Sequence, residues 1–182
     1  MEVWKRIEPT RVHEVGWLTV VRKTFQTHKG DEQMLEALGR EGEHCAVVIA
    51  LTPDHQVIVA RQFRPGPEKI MEELPGGVVD PGEDFMAGAI RELEEETGFL
   101  PRHIEPLGDI YKDAYSNTVW HYFWAVGCTP TKTGQKLDKD EHIEVGLISI
   151  DELIKNARAG NMIDIQAVFL AYDKLVELQG KR

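Results

Sequence analysis

Between residues 76 and 99 the chain reads GGVVDPGEDFMAGAIRELEEETGF, and this stretch limits the possible folds more than any other. A helix is expected from about Asp84 to Thr97, closed by Gly98, the residue type that ends helices in the left-handed conformation. On that helix Glu92, Glu95 and Glu96 are spaced i, i+3, i+4, so three carboxylates project from one face. Met86, Ile90 and Leu93 fall on the opposite side and suit packing on a sheet. Arg91 stands four residues before Glu95 and is placed to pair with it. The glycines of the preceding loop allow it to fold tightly around the carboxylate face and to bring Glu83 near.

A run such as ELEEE is ordinarily a solvated helix face. A cluster drawn together is a different matter. Two carboxylates about 5 Å apart repel by roughly 3 kcal/mol at an effective dielectric near 20. Such a group takes up protons, stays solvated or holds a hard cation. Mg²⁺ prefers carboxylate and water oxygens and keeps substrate phosphates in its shell. It would also reverse the local sign of charge. The net charge of −10 opposes general nucleic-acid or anionic-membrane binding, yet it leaves room for a phosphorylated substrate bridged by metal.

The 182 residues suit one domain with a small appendage, and no apolar run approaches the length needed to cross a bilayer. The start, MEVWKRIEPT, lacks the apolar region of a secretory signal, and Cys45 and Cys128 sit apart in apolar stretches as buried thiols. A cytoplasmic protein is expected.

Residues 16–26 read as a strand, and 32–39 as a strand or a short helix. HCAVVIAL (44–51) and QVIVARQF (56–63) form a hairpin about TPDH, followed by a Pro- and Gly-rich loop with a short strand embedded. Further strands are expected at 107–112, 119–127 and 143–150, with a polar loop at 129–141. Ser149 and Glu152 have capping-box spacing for a helix over 150–158, and a last amphipathic helix covers 163–178. Along 119–127, Trp120, Tyr122 and Trp124 share one face, and His121 and Phe123 the other. The fold class is α/β, a mixed sheet sandwiched between helices, with an N-terminal strand-rich arm over 1–40 and the main domain over 41–182.

From Gly77 the spacing is five residues to Glu83, seven to Arg91-Glu92-Leu93, one to Glu95-Glu96 and one to Gly98-Phe99. This resembles the Nudix box, G-x5-E-x7-R-E-U-x-E-E-x-G-U with U apolar, at every fixed position. The resemblance implies the Nudix α/β/α sandwich and hydrolysis of a nucleoside diphosphate linked to another moiety. It implies Mg²⁺ as cofactor, with Mn²⁺ as a substitute. Glu92 and Glu96 correspond to the main metal ligands, with Glu95 and the carbonyl of Gly76 as partners. Glu95 and Glu96 are counted with the catalytic groups, Glu83 supports the cluster and Arg91 is structural.

RQFRPG (61–66) and EELPGG (72–77) are similar to the branch that cleaves ADP-ribose and related nucleotide sugars. By that resemblance Arg61 and Arg64 belong to the substrate site, Arg64 on the diphosphate, and Glu73 contacts a substrate hydroxyl. One segment departs from it. ADP-ribose enzymes carry a proline about fifteen residues past the box, where this chain has DAYSNTVWHYF (113–123), so GDP-sugars or mixed specificity stay open. In similar enzymes the base lies on the loop before the 143–150 strand, which here offers Asp138, Asp140, Glu141 and Glu144. Glu141 suits a loop-end position best and Asp140 comes second, whereas Glu144 falls within the sheet. The same resemblance makes the N-terminal segment, with Trp4, Trp17 and Phe25, a homodimer contact.

The expected substrate is a nucleoside-diphosphate sugar such as ADP-ribose or GDP-mannose. The alternatives are a nucleoside triphosphate pyrophosphatase and a non-catalytic nucleotide-sensing regulator of the same fold.

Overall fold

HCAVVIAL alternates between two cores, and this explains the centre of the fold. In the computed structural model, which describes residues 2–180 and only the backbone at 8 and 9, the odd residues Val47, Ile49 and Leu51 face one apolar cluster. The even residues Ala46, Val48 and Ala50 face another. A strand buried on both sides needs apolar residues at every position, and this one has them.

The described chain divides into two units, residues 1–44 with 111–119 and residues 45–110 with 120–182. The first is an antiparallel meander of Lys5–Val15 (β1), Leu18–Gln26 (β2) and Glu32–Leu38 (β3). The strand expected from residue 16 starts at Leu18, because Gly16 (φ 60°) turns the chain back from β1. The ambiguous 32–39 segment is a strand. Its end is fastened to the 111–119 segment, where the Leu38 N–H donates to Tyr115 O and the Asn117 N–H to Leu38 O (2.6 and 2.7 Å).

The second unit follows with His44–Leu51 (β4), Val57–Arg64 (β5), Lys69–Glu73 (β6) and Gly76–Val78 (β7). Next come Phe85–Thr97 (α1), Phe99–Leu100 (β8), His103–Ile110 (β9), Val119–Val126 (β10) and Thr129–Pro130 (β11). Glu144–Ile148 (β12), Ile150–Ala159 (α2), Ile165–Leu170 (α3) and Tyr172–Gln179 (α4) complete it. Among the described residues β12-β5-β4-β10-β9 run in that order, with β6 on β5 and β7 on β4, in one mixed seven-stranded sheet.

One face of the sheet packs on α1 through Ala89 and Leu93, with Phe123 and Ala125 of β10. The other packs on α2, α3 and α4 through Leu153, Val168 and Leu175, with Tyr122 and Trp124. This is the expected sandwich of a mixed sheet between helices. Neighbouring residues of β10 go to opposite cores, as their alternation requires.

Two expectations are corrected. The strand placed at 107–112 runs over His103–Ile110, where a bulge opposite Tyr122 and Phe123 lets β9 follow β10. The single last helix is two, α3 and α4, broken at Ala171 (φ −94°, ψ 4°). Apolar periodicity runs through both, so it hides a break that lies in the backbone angles alone.

Candidate active site

The helix α1 begins where Asp84 accepts the N–H groups of Met86 and Ala87 (3.0 and 3.1 Å), an N-cap with its usual bonds. It ends at Gly98, whose φ of 73° would strain any residue with a Cβ. Leu93 is driven into the sheet, and this turns the Glu92, Glu95 and Glu96 side of the helix towards the lead-in 73–83. Gln135 secures the far end, since its Nε2 donates to Glu96 O (2.7 Å) and Ile143 O (3.1 Å).

Arg91 organises the carboxylates. Its Nε and Nη2 donate to the two oxygens of Glu83 at 3.0 Å, and Nη1 donates to Glu92 Oε1 (2.8 Å) and Glu95 Oε2 (3.0 Å). Nη2 also reaches Val78 O at 3.1 Å. The planar fork of an arginine can serve this many acceptors at once, which an ammonium group cannot. The pairing with Glu83 above all raises the guanidinium pKa, and the same contact holds the Glu83 carboxyl below its ordinary value.

Glu96 is the buried member, 7% exposed, and its Oε2 accepts the Gly76 N–H at 2.9 Å. Burial pushes its pKa up to about 8, and the nearby charges of Glu92, Glu141 and Glu73 push the same way. Burial also raises the Glu92 carboxyl, with Glu95 and Glu141 adding to it against the pull of Arg91. Desolvated carboxylates repelling one another are the condition a hard cation relieves. Glu92 and Glu96 therefore fit a divalent metal, with Glu95 joined to Glu92 through Arg91. No three His, Cys, Asp or Glu of the described residues form a ready-made cage.

The double glycine is a steric requirement. A Cβ at Gly77 would lie 2.6 to 2.8 Å from the Glu92 carboxylate, and one at Gly76 would lie 2.4 Å from Ala46 O.

Beside this cluster Arg64 pairs bidentately with Glu73, Nε to one carboxylate oxygen and Nη2 to the other. Glu73 is buried, and the Nη1 of Arg64 takes no part in the pair. Arg61 lies between Glu72 and Glu144 at 3.7 Å from each. Glu141 is exposed at the end of its loop, its carboxylate accepting the Asp138 N–H at 2.9 Å. Its negative charge helps to raise the Glu92 and Glu96 carboxyls. Glu144 starts β12 opposite Arg61. The sequence reading missed Asp164, a buried carboxylate that accepts the Leu74 N–H at 3.2 Å. Its only local signal is its place before α3.

A model of the NUDIX domain matches residues 42–168. The "ADP-ribose pyrophosphatase" of Bacillus subtilis (strain 168) is 28% identical over 123 residues, covering 67% of this chain and 66% of that protein. The "CMP-5'-(N-acetyl-N-hydroxy-3-aminopropyl)phosphonate hydrolase" of Streptomyces rubellomurinus (strain ATCC 31215) is 57% identical over 96 residues, 53% of this chain and 46% of that one. The chain thus spans just under two thirds of the first relative and about half of the second. A solved structure titled "Crystal structure of ADP compounds hydrolase" superposes over 100% of both chains with a TM-score of 0.79 at 20% identity. That likeness bears on the fold.

Proposed function

The chain belongs to the NUDIX-domain family, and on that premise we propose that it hydrolyses the diphosphate bond of a nucleoside-diphosphate sugar, giving a nucleoside monophosphate and a sugar phosphate. The observation that carries this reading is the desolvated Glu92–Glu96 pair, with the Arg64–Glu73 clamp and the Glu141 loop close enough for their charges to bear on it. The relatives' names, one acting on ADP-ribose and one on a CMP-linked phosphonate, support a nucleotide joined to phosphorus through an anhydride.

Glu92 and Glu96, with Glu95 and the Gly76 carbonyl, would hold Mg²⁺ or Mn²⁺, which supplies Lewis-acid stabilisation of phosphate oxygens and a lowered water pKa. The chain's own groups do the rest. Glu141 accepts the proton of the attacking water as its oxygen bonds to phosphorus and the bridging oxygen leaves. Arg64 turns its Nη1 to a phosphate oxygen while the pair with Glu73 fixes its plane. Arg61, held by two long ion pairs, is a second cation for the diphosphate. Glu73 accepts a substrate hydroxyl.

Residues 1–40 are in this reading a dimerising arm. Trp17 is 87% exposed, and Val12, Val15 and Met34 are exposed with it. Light scattering at micromolar concentration decides: a homodimer is expected and a monomer refutes it. No helix among the described residues is long and apolar enough to cross a membrane. The buried thiols of Cys45 and Cys128 suit the reducing cytoplasm.

The test of function is release of the nucleoside monophosphate, read by chromatography, with Mg²⁺ over ADP-ribose, GDP-mannose, UDP-glucose, CMP-linked phosphonates and the common dNTPs. Preference for a nucleotide sugar is expected. Preference for dNTPs would move the protein to the triphosphate pyrophosphatases. Inactivity on every compound would leave a nucleotide sensor.

A further inference from the structure

Asp164 precedes α3, the position where an aspartate ordinarily caps a helix by accepting N–H groups of the first turn. Here the side chain makes no capping bond. It is 3% exposed, and its Oδ2 reaches across 90 residues of sequence to the Leu74 N–H. Burying a carboxylate is costly unless donors meet it, and forgoing the local cap costs stability as well. The arrangement is therefore explained by what it holds.

Leu74 lies between Glu73, which pairs with Arg64, and Pro75-Gly76, whose glycine N–H binds Glu96. On its other side the same stretch is stitched to the chain before Asp164. The Glu72 N–H donates to Asn161 O (3.4 Å) and the Ile163 N–H to Glu72 O (3.1 Å), while Asn156 Nδ2 donates to the Glu72 carboxylate (3.0 Å). Residues 161–164 thus act as a short added rung on the free edge of β6, and Asp164 is its last tie. The charge of Asp164 also helps to stabilise the Arg64 cation, after the hydrogen bond and charge of Glu73 and with that of Glu96.

We propose that Asp164 is a positioning residue of the substrate site, pinning the backbone at Leu74 so that Glu73 with Arg64 and Gly76 with Glu96 keep a fixed separation. The inference rests on the hydrolase reading for its effect on turnover, but not for its effect on the backbone.

Three readouts on Asp164→Ala and Asp164→Asn test it: the Leu74 amide exchange rate by NMR, thermal unfolding, and KM against kcat for ADP-ribose with Mg²⁺. Asp164→Ala should speed Leu74 exchange at least tenfold relative to Leu93 in α1 and raise KM roughly tenfold with a smaller fall in kcat. Asp164→Asn keeps an acceptor oxygen and should restore slow exchange and a KM within about threefold of wild type. Unchanged Leu74 exchange in Asp164→Ala overturns the proposal, as does an Asn variant as impaired as Ala. Should Asp164→Ala not fold, Asp164→Ser, whose hydroxyl falls short of Leu74, takes its place under the same outcomes. A wild-type chain inactive on every nucleotide would end the hydrolase reading, and the exchange comparison would still decide the positioning role.

Discussion

The Gly76 N–H donates to the Glu96 carboxylate across 2.9 Å, so strand β7 and helix α1 share a hydrogen bond at the most buried carboxylate of the cluster. The bond fixes the lead-in against the helix and leaves Glu96 short of other donors. A close backbone approach of this kind leaves no room for a side chain at Gly76, where an added Cβ would lie 2.4 Å from Ala46 O.

Replacing Gly77 by alanine separates site from fold. The nearest atoms to the added Cβ are those of the Glu92 carboxylate, the far end of a flexible side chain. The fold should lose about 1 kcal/mol or less, while turnover drops at least roughly tenfold because Glu92 is displaced. Gly76→Ala meets the backbone of Ala46 and Val47 instead and should cost about 1–3 kcal/mol in stability. Urea midpoints beside kcat for the two variants check the contrast; equal stability losses would sink it.

The metal-free protein should lose stability as pH rises. A carboxyl that holds its proton more tightly folded than unfolded contributes stability that is complete below its unfolded pKa. That contribution is lost as pH climbs through the folded value. For Glu96 the window runs from the ordinary 4.5 to about 8. Melting temperature in chelator should therefore fall across this range, and Glu96→Gln should flatten the slope. Saturating Mg²⁺ should restore the loss at the alkaline end, because the ligand form is the ionised one. A chelated wild type with no slope that Glu96→Gln removes would be fatal to this account.

Arg91 touches Glu83, Glu92, Glu95 and Val78 O with one guanidinium. A lysine carries the charge without the fork, so Arg91→Lys should leave two or more of these acceptors unserved. A stability loss of ~1–3 kcal/mol is expected, with a weakened Mn²⁺ affinity by titration calorimetry as Glu92 and Glu95 come loose. Wild-type affinity in Arg91→Lys would show that the carboxylates hold their places without it.

The parts of this molecule legible in the sequence are those whose cause is local. The α1 helix follows from a period of 3.6 and two caps, Asp84 and Gly98, all within a few residues of one another. Ser149 capping α2 through the Glu152 N–H is likewise local. The 32–39 strand was ambiguous because Glu32–Leu38 is largely exposed and so shows no clear apolar alternation. The break at Ala171 escapes periodicity because helices on either side bury Val168 and Leu175 in one core. Asp164 was silent because its partner is fixed by the fold of the whole second unit. RQFRPG and EELPGG point to Arg64 and Glu73 separately, and nothing in either segment says that β5 and β6 lie side by side and make them a pair.

The last prediction concerns the base. Glu141 is exposed, on a loop, and its carboxylate accepts the Asp138 N–H of its own turn. It nonetheless bears electrostatically on both Glu92 and Glu96. Removing its charge without changing its shape should leave the fold intact and shift metal affinity only slightly, while removing the proton acceptor. Glu141→Gln is therefore expected to lower kcat by roughly 10²-fold or more, with KM and Mn²⁺ affinity within about twofold of wild type. The deficit should lessen as pH rises, since hydroxide supplies what the missing base no longer does. The comparison variant is Asp140→Asn, which should retain most of its turnover. Near-full activity in Glu141→Gln with a large loss in Asp140→Asn would transfer the role to Asp140.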